Sequence, residues 1–283
     1  MAEKIWFITG ASRGFGRIWA EAALARGDKV AATTRNASSL SDLAQRFGDA
    51  VLPLELDVAD VEAPKRAVAE AHRYFGRLDI VLNNAGYALV GAIEELDEKD
   101  LRVELDTNVF GMLRVIQAAL PYLREQGSGH ILSVSSVAGI VANPIAGAYN
   151  ISKWAVEAMH EALAKEVQTF GIKVTLIEPG AYATDFASAN SLKISEGLDA
   201  YAELRQQAFA AGAKMVFGDP KATPTAILAI VDAPEPPLRF FLGTEGLPVA
   251  RAAYAARLAE WETWGELSNA AQGSVSYQQI ASL

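Results

Sequence analysis

The chain has 283 residues, 51% of them hydrophobic, which is ample for the buried core of one α/β domain spanning residues 1–283. Its net charge of -9 argues against a nucleic-acid-binding surface, and the absence of Cys excludes disulfides and thiolate metal sites. Met1-Ala2-Glu3-Lys4 runs straight into an apolar segment without a leader-like pattern, and the longest apolar runs fall short of a bilayer span, so a reducing, cytoplasmic setting is expected.

Short β-rich apolar runs predict strands at 5–9, 29–34, 51–56, 80–82, 130–134, 173–177 and 239–242. Helical patterns lie between them at 17–26, 39–47, 63–75, 101–124, 148–170 and 221–231. Strand–helix alternation implies right-handed crossovers and a doubly wound parallel sheet of about seven strands. The near-continuous apolar strands fit a sheet covered on both faces. A ligand crevice is then expected beyond the carboxyl ends of the strands. Residues 186–216 interrupt the alternation and read either as a substrate lid or as a packed pair of surface helices. A helical extension occupies 247–266, within a C-terminal part running to 283, and 273–283 reads as polar and disordered.

The first turn, Thr9-Gly10-Ala11-Ser12-Arg13-Gly14-Phe15-Gly16, follows a predicted strand and opens a predicted helix. Glycines there permit a tight turn and let backbone N–H groups approach a pyrophosphate at the positive end of the helix. The spacing, Gly-x-x-x-Gly-x-Gly, differs from the common dinucleotide fingerprint, and a ligand-free turn is the alternative. The second strand ends in Thr33-Thr34-Arg35-Asn36, with no acid to bind ribose hydroxyls. Arg35 and Arg13 are placed to meet a 2′-phosphate, which favours NADP(H) over NAD; two solvated surface arginines are the alternative.

Tyr149 and Lys153, four residues apart in a helical pattern, share one face. A nearby cation stabilises phenolate, so the pair predicts a tyrosine of lowered pKa acting as acid and base. The three histidines, His72, His130 and His160, form no metal-ligand spacing and read as surface or element-end residues.

Together these pieces resemble the short-chain dehydrogenase/reductase family, in its compact branch, from about residue 4 to about 242. The resemblance implies an adenine contact at Asp57 and Val58 and a segment bordering the adenosine at Asn83-Asn84-Ala85-Gly86. It also implies a nicotinamide-holding loop at Pro179, Gly180 and Thr184, and a catalytic tetrad of Asn108, Ser136, Tyr149 and Lys153. Ser136 is chosen over Ser135 because the family serine lies thirteen positions before the tyrosine. Ser135 is then expected to support the strand end with its side chain. Hydride transfer between a nicotinamide and a carbonyl or alcohol carbon is the implied reaction. Tyr149 would donate the proton and Ser136 would stabilise the oxygen. Lys153 would hold the ribose, and Asn108 a water leading from Lys153 to solvent.

The expected substrate wall combines 87–90, 141–144, Tyr182 and the insertion, with no evident carboxylate clamp. A small hydrophobic ketone, aldehyde or secondary alcohol follows. Trp154, bulkier than the family's usual residue beside the lysine, reads as helix packing. The C-terminal part is longer than compact relatives carry. The resemblance implies that the long helices at 101–124 and 148–170 form a subunit contact, hence a homodimer or homotetramer; helices that simply cover the sheet are the alternative. A non-enzymatic NADP sensor and an epimerase or dehydratase on the same fold are the competing readings.

Overall fold

The computed structural model describes residues 3–187 and 191–274. Parts of the predicted 186–216 insertion and of the 273–283 tail lie outside the described residues. Seven strands form one parallel sheet: β1 (Ile5–Ile8), β2 (Lys29–Thr34), β3 (Val51–Glu55), β4 (Ile80–Asn83), β6 (Gly129–Val134), β7 (Ile172–Pro179) and β9 (Arg239–Leu242). Their order across the sheet is β3-β2-β1-β4-β6-β7-β9. The chain winds outward from β1 to β3, then returns to β4 on the other side of β1. That reversal opens a crevice at the carboxyl ends of β1 and β4. All seven predicted strands and the doubly wound parallel arrangement are found.

Alternation along each strand divides the core in two. Ile5, Phe7, Ala31, Val81 and Ile131 face one way, onto α3 (Ala63–Phe75), α5 (Met112–Gln126) and α6 (Gly147–Val167). Trp6, Ile8, Val30, Ala32, Leu82 and Leu132 face the other way, onto α1 (Gly14–Arg26), α2 (Ser41–Phe47) and α8 (Pro224–Asp232). Each buried aliphatic side chain withdrawn from water stabilises the fold by roughly 1.5–3 kcal/mol before entropy is counted. Both buried tryptophans find acceptors: Trp6 Nε1 donates to Asp28 Oδ2 at 2.8 Å, and Trp19 Nε1 donates to Thr223 Oγ1 at 2.7 Å.

The structure departs from the sequence expectation in three places. The helix expected over 101–124 begins earlier, as α4 (Glu98–Leu105), and passes through a π-helical segment, Asp106–Gly111, before α5. A wider helical turn of this kind re-aims side chains within an otherwise regular helix. Two three-residue strands, β5 (Ala88–Val90) and β8 (Leu192–Ile194), pair in parallel outside the main sheet. They are too short to carry a periodic signal.

Among its described residues the insertion contains β8 and one α-helix, α7 (Ala202–Ala213), rather than a helix pair. It is tied to the segment after β5. Lys193 pairs with Asp100 at 2.5 Å, Tyr201 donates to Glu94 at 2.7 Å, and Arg205 pairs with the buried Glu95. The extension folds as α9 (Gly246–Thr263) and α10 (Gly265–Gln272), leaving Leu258, Trp261, Trp264 and Leu267 exposed. No described helix is long and apolar enough to cross a membrane.

The Trp19–Thr223 bond joins α1 to the start of α8, and it yields a stability test. Thr223→Val leaves a buried indole N–H without an acceptor and is expected to lower unfolding free energy by about 1–3 kcal/mol. Urea denaturation of the cofactor-free protein measures it, and an unchanged midpoint would contradict the assignment.

Candidate active site

The glycine turn is shaped by close approach. Gly10 and Gly14 have φ of 66° and 55°, in the left-handed region that glycine adopts without strain. A Cβ on Gly16 would sit 2.5 Å from both the Gly10 carbonyl oxygen and Asn84 Nδ2. Asn84 in turn donates to the carbonyls of Thr9 and Gly10, each at 3.1 Å. Thr9 Oγ1 accepts from the backbone N–H of Asn84 at 2.9 Å and of Ala85 at 3.0 Å. The ends of β1 and β4 are thereby stapled together, with the turn between them.

The turn opens α1, whose first turn carries no acid and whose N-cap, Arg13, makes no side-chain capping bond. The positive end of that helix suits a pyrophosphate. A crevice of about 490 Å³ lies there, lined by Gly14, Ile18, Ala183, Thr184, Asp185, Pro220 and Lys221. This cradle fits the dinucleotide expected from the sequence. Gly14 and Thr184 come together across it. Phe15 stacks on Trp19 at 4.8 Å and meets Tyr182 edge-on at 5.2 Å, which anchors α1 to the loop after β7. Tyr182 thus packs on the nucleotide side, and not in the substrate wall where the sequence reading put it.

The other expected cofactor residues divide into two groups. Arg35 is exposed directly beyond β2, and Asp57 is exposed with its carboxylate accepting from the Ala59 N–H at 3.0 Å. Ser12, Gly86, Gly180 and Thr184 are partly exposed, and of these Thr184 lines the crevice beside Gly14. Arg13 instead donates to Ser191 Oγ at 2.8 Å, so its guanidinium reaches the start of β8. Val58 is buried against Gly111, and its carbonyl accepts from Arg114 at 3.3 Å. Asn83 is buried and donates to Ser133 Oγ at 3.1 Å, within the sheet. Asn84 and Ala85 are the residues of that motif that bond the glycine turn.

Beyond the end of β6 three side chains converge. Ser136 follows β6 and caps a 3-10 turn, Val137–Gly139; its Oγ accepts from the Ala138 N–H at 3.1 Å and hydrogen-bonds the Tyr149 hydroxyl. Tyr149 and Lys153 lie one turn apart near the start of α6, with Lys153 Nζ 5.5 Å from the Tyr149 ring centre. Lys153 Nζ donates to the Val134 carbonyl, the last of β6, at 2.9 Å. The shared face predicted from the spacing is therefore found. Ser135 sends only its backbone N–H to the neighbouring strand, to Ile177 O at 2.7 Å; its hydroxyl is buried with no hydrogen-bond partner among the described residues. The expected side-chain support from Ser135 is not seen.

The electrostatics correct the sequence expectation. Tyr149 is raised above the ordinary tyrosine pKa, first by enclosure of its hydroxyl, with Ser136 pulling down and Glu104 pushing up. Lys153 is pushed down to about 8, first by burial, against the opposing pull of Glu104 and Glu157. Desolvation penalises phenolate and ammonium alike, and here it outweighs their mutual attraction. The phenol is held protonated; it is not poised to ionise near neutrality.

Asn108 sits in the π-helical segment, fully buried. Its Oδ1 accepts from the Tyr87 N–H at 3.0 Å, and its Nδ2 donates to Tyr87 O at 2.8 Å and Ser152 Oγ at 3.1 Å. The side chain is thus spent on protein partners. Asn150 donates to the Ala138 and Val141 carbonyls at 2.8 and 3.0 Å, which fixes the loop before α6. In that loop Ile145 has φ of 59°, a strained position for a β-branched residue, held by the Gly91 N–H on its carbonyl at 2.7 Å.

Phe186 lies 5.6 Å from the Tyr149 ring and stays partly exposed. Arg257 of α9 stacks over Trp154 at 4.8 Å and donates to Ile140 O at 3.0 Å, so Trp154 packs against the extension rather than inside its own helix layer. His160, read from sequence as a surface or element-end residue, is fully buried in mid-helix and bonds Ser133 Oγ at 2.6 Å; His130 is also buried, against Thr175. Burial pushes both imidazoles down, to about 4 and about 3. Glu104, one helical turn before Asn108, is a further buried group that went unremarked.

Residues 4–194 match the family model described as short chain dehydrogenase. The chain is 42% identical to "Oxidoreductase BOA17" of Botryotinia fuckeliana, over 94% of this chain and 98% of that protein. It is 35% identical to a 3-ketodihydrosphingosine reductase of Bacteroides thetaiotaomicron, over 86% and 89%. Among solved structures, a short-chain dehydrogenase from Streptomyces avermitilis superposes with a TM-score of 0.89 at 38% identity, covering 95% of this chain and 99% of that one. Another, from Burkholderia cenocepacia in complex with NADP, gives 0.74 at 26% identity, covering 92% and 97%. With the glycine turn, the seven-stranded sheet and the converging Ser136, Tyr149 and Lys153, these matches make the chain an oxidoreductase of the short-chain dehydrogenase/reductase family.

Proposed function

We propose that this chain acts as a single catalytic unit, an NADPH-dependent carbonyl reductase and, in reverse, an alcohol dehydrogenase. The observation that carries the reading is the convergence of Ser136, Tyr149 and Lys153 at the end of β6. The substrate is a hydrophobic ketone, aldehyde or secondary alcohol. Supporting that class is the apolar Phe186 beside Tyr149. The relative named for reduction of a keto lipid points the same way.

Bound in the crevice, NADPH supplies a hydride to the carbonyl carbon. The Tyr149 hydroxyl gives its proton to the carbonyl oxygen as negative charge develops there. Ser136 donates a hydrogen bond to that same oxygen, in the manner of an oxyanion-hole donor. Lys153, held by the Val134 carbonyl, offers its remaining N–H groups to the ribose and its charge to the phenolate left behind. Asn108 fixes the Tyr87 backbone, and so the floor of the site. Because its amide is already engaged, a water on the path from Lys153 would be held by other acceptors. A phenol kept protonated by burial suits the reducing direction, in which it must give up a proton.

At the adenosine end, the exposed Arg35 and the lack of an acid over 33–36 favour a 2′-phosphate, and a related structure holds NADP. Asp57 would meet the adenine, and Pro179, Gly180 and Thr184 the nicotinamide. We place the protein in the cytoplasm, as a homodimer or homotetramer; exposed Phe110 and Ile151 offer apolar surface for such contacts. The sensor reading is weaker because Ser136, Asn108, Tyr149 and Lys153 are all present.

Tyr149→Phe is expected to retain NADPH binding by fluorescence titration while turnover falls by about 10²–10⁴-fold. Near-normal turnover would remove the proposed acid. Arg35→Asp is expected to raise the Kd for NADPH by about tenfold to a hundredfold with little effect on NADH, as loss of a charge-assisted contact implies. Equal effects on both coenzymes would place the 2′-phosphate elsewhere. With Lys153 at about 8, the ammonium is present below that pH and lost above it. Reductive kcat should therefore decline as pH rises through about 8, and a flat profile from 7 to 10 would contradict the role given to Lys153.

A further inference from the structure

Glu104 is fully buried on the last turn of α4, facing the candidate active site. A glutamate is almost never enclosed unless paired, because its charge is costly to desolvate. Its Oε1 accepts from the Leu89 N–H at 3.1 Å and lies 3.4 Å from Asn108 Nδ2. Its Oε2 is buried with no hydrogen-bond partner among the described residues. Both Oε1 contacts are donations to an oxygen, so a glutamine amide would satisfy them equally well. A purely structural role therefore does not call for the acid.

The charge finds its counterpart across the site. Asn108 Oδ1 and Lys153 Nζ both lie within 4.0 Å of the point where a Cβ on Gly86 would sit, which brings the Asn108 end of the helix up to the ammonium. The titratable groups facing Glu104 are Lys153 and Tyr149 from α6, and Tyr87 from the segment after β4. Glu157 also acts on Lys153, from its own helix.

We propose that Glu104 is a positioning residue of this site: its carboxylate is the counter-charge that keeps Lys153 protonated. The proposal deepens the reductase reading and rests on it for its meaning, though not for its test. Burial lifts Glu104 to about 7, with Lys153 pulling it back. Of the groups opposing the burial of Lys153, Glu104 contributes most, ahead of Glu157. The carboxylate is lost as pH falls through about 7, and the ammonium is lost as pH rises through about 8. Tyr87, pushed up to about 12, and the raised Tyr149 stay neutral throughout.

The test is Glu104→Gln, which keeps the hydrogen bonds and deletes the charge. ¹⁵N NMR of lysine-labelled protein, with Lys153 assigned by its disappearance in Lys153→Met, reads the ammonium directly in the cofactor-free protein. Its midpoint is expected to fall by about one pH unit in Glu104→Gln, in line with loss of a nearby opposite charge. The alkaline limb of kcat should move down with it. An unmoved midpoint and limb would overturn the proposal. If Glu104→Gln does not fold, the wild-type titration decides: a second inflection of the Lys153 signal near pH 7, as Glu104 ionises, supports the pairing, and a single inflection overturns it. Because the NMR reading needs no turnover, it stands or falls separately from the reductase assignment.

Discussion

The Lys153 ammonium donates to the carbonyl of Val134, and this bond joins the two halves of the site. It fixes α6 to the end of a central strand, at the depth where a crevice opens above the sheet. Tyr149, one turn earlier, is thereby set beside Ser136, which is itself the first capping residue beyond β6. The same placement removes both ionisable groups from water. Desolvation then fixes their charge states more strongly than they fix each other, and it leaves a neutral phenol beside a weakened ammonium. Counter-charges such as Glu104 and Glu157 acquire importance only because of that enclosure.

The nucleotide end obeys a different constraint, one of space. Gly16 packs against the Gly10 carbonyl and the Asn84 amide, and Gly14 against Thr184, so the turn, the segment after β4 and the loop after β7 close on one another at positions where the turn itself carries no side chain. Phe15 and Tyr182 seal that closure from one side. The insertion is then held at its other end by Glu94, Glu95 and Asp100 through Tyr201, Arg205 and Lys193. Phe186, at the start of the insertion, lies next to Tyr149.

Much of this was legible in the sequence, for identifiable reasons. Buried parallel strands are continuous apolar runs, so all seven could be located, and an i, i+4 pair must share a helical face, so Tyr149 and Lys153 were rightly put together. What escaped depended on tertiary contacts. The π-helical segment arises where Gly111 packs on Val58, and no periodicity announces it. The β5–β8 pair joins segments about a hundred residues apart. His160 and Glu104 resemble surface residues until the fold is seen to bury them. The direction of the Tyr149 shift was misjudged because spacing reveals a neighbouring charge and says nothing of how much water is lost. Glu104 lies four residues before Asn108 on the same helix, and that acid–amide spacing was the one signal that pointed to it.

The account turns on a tyrosine hydroxyl kept protonated by enclosure, and ¹³Cζ-tyrosine NMR titration measures that state, with Tyr149 assigned by its loss in Tyr149→Phe. The account predicts that the Tyr149 signal remains that of a neutral phenol beyond pH 10, about where an ordinary tyrosine is half ionised. A Tyr149 phenolate at or below neutral pH in the cofactor-free protein would contradict it.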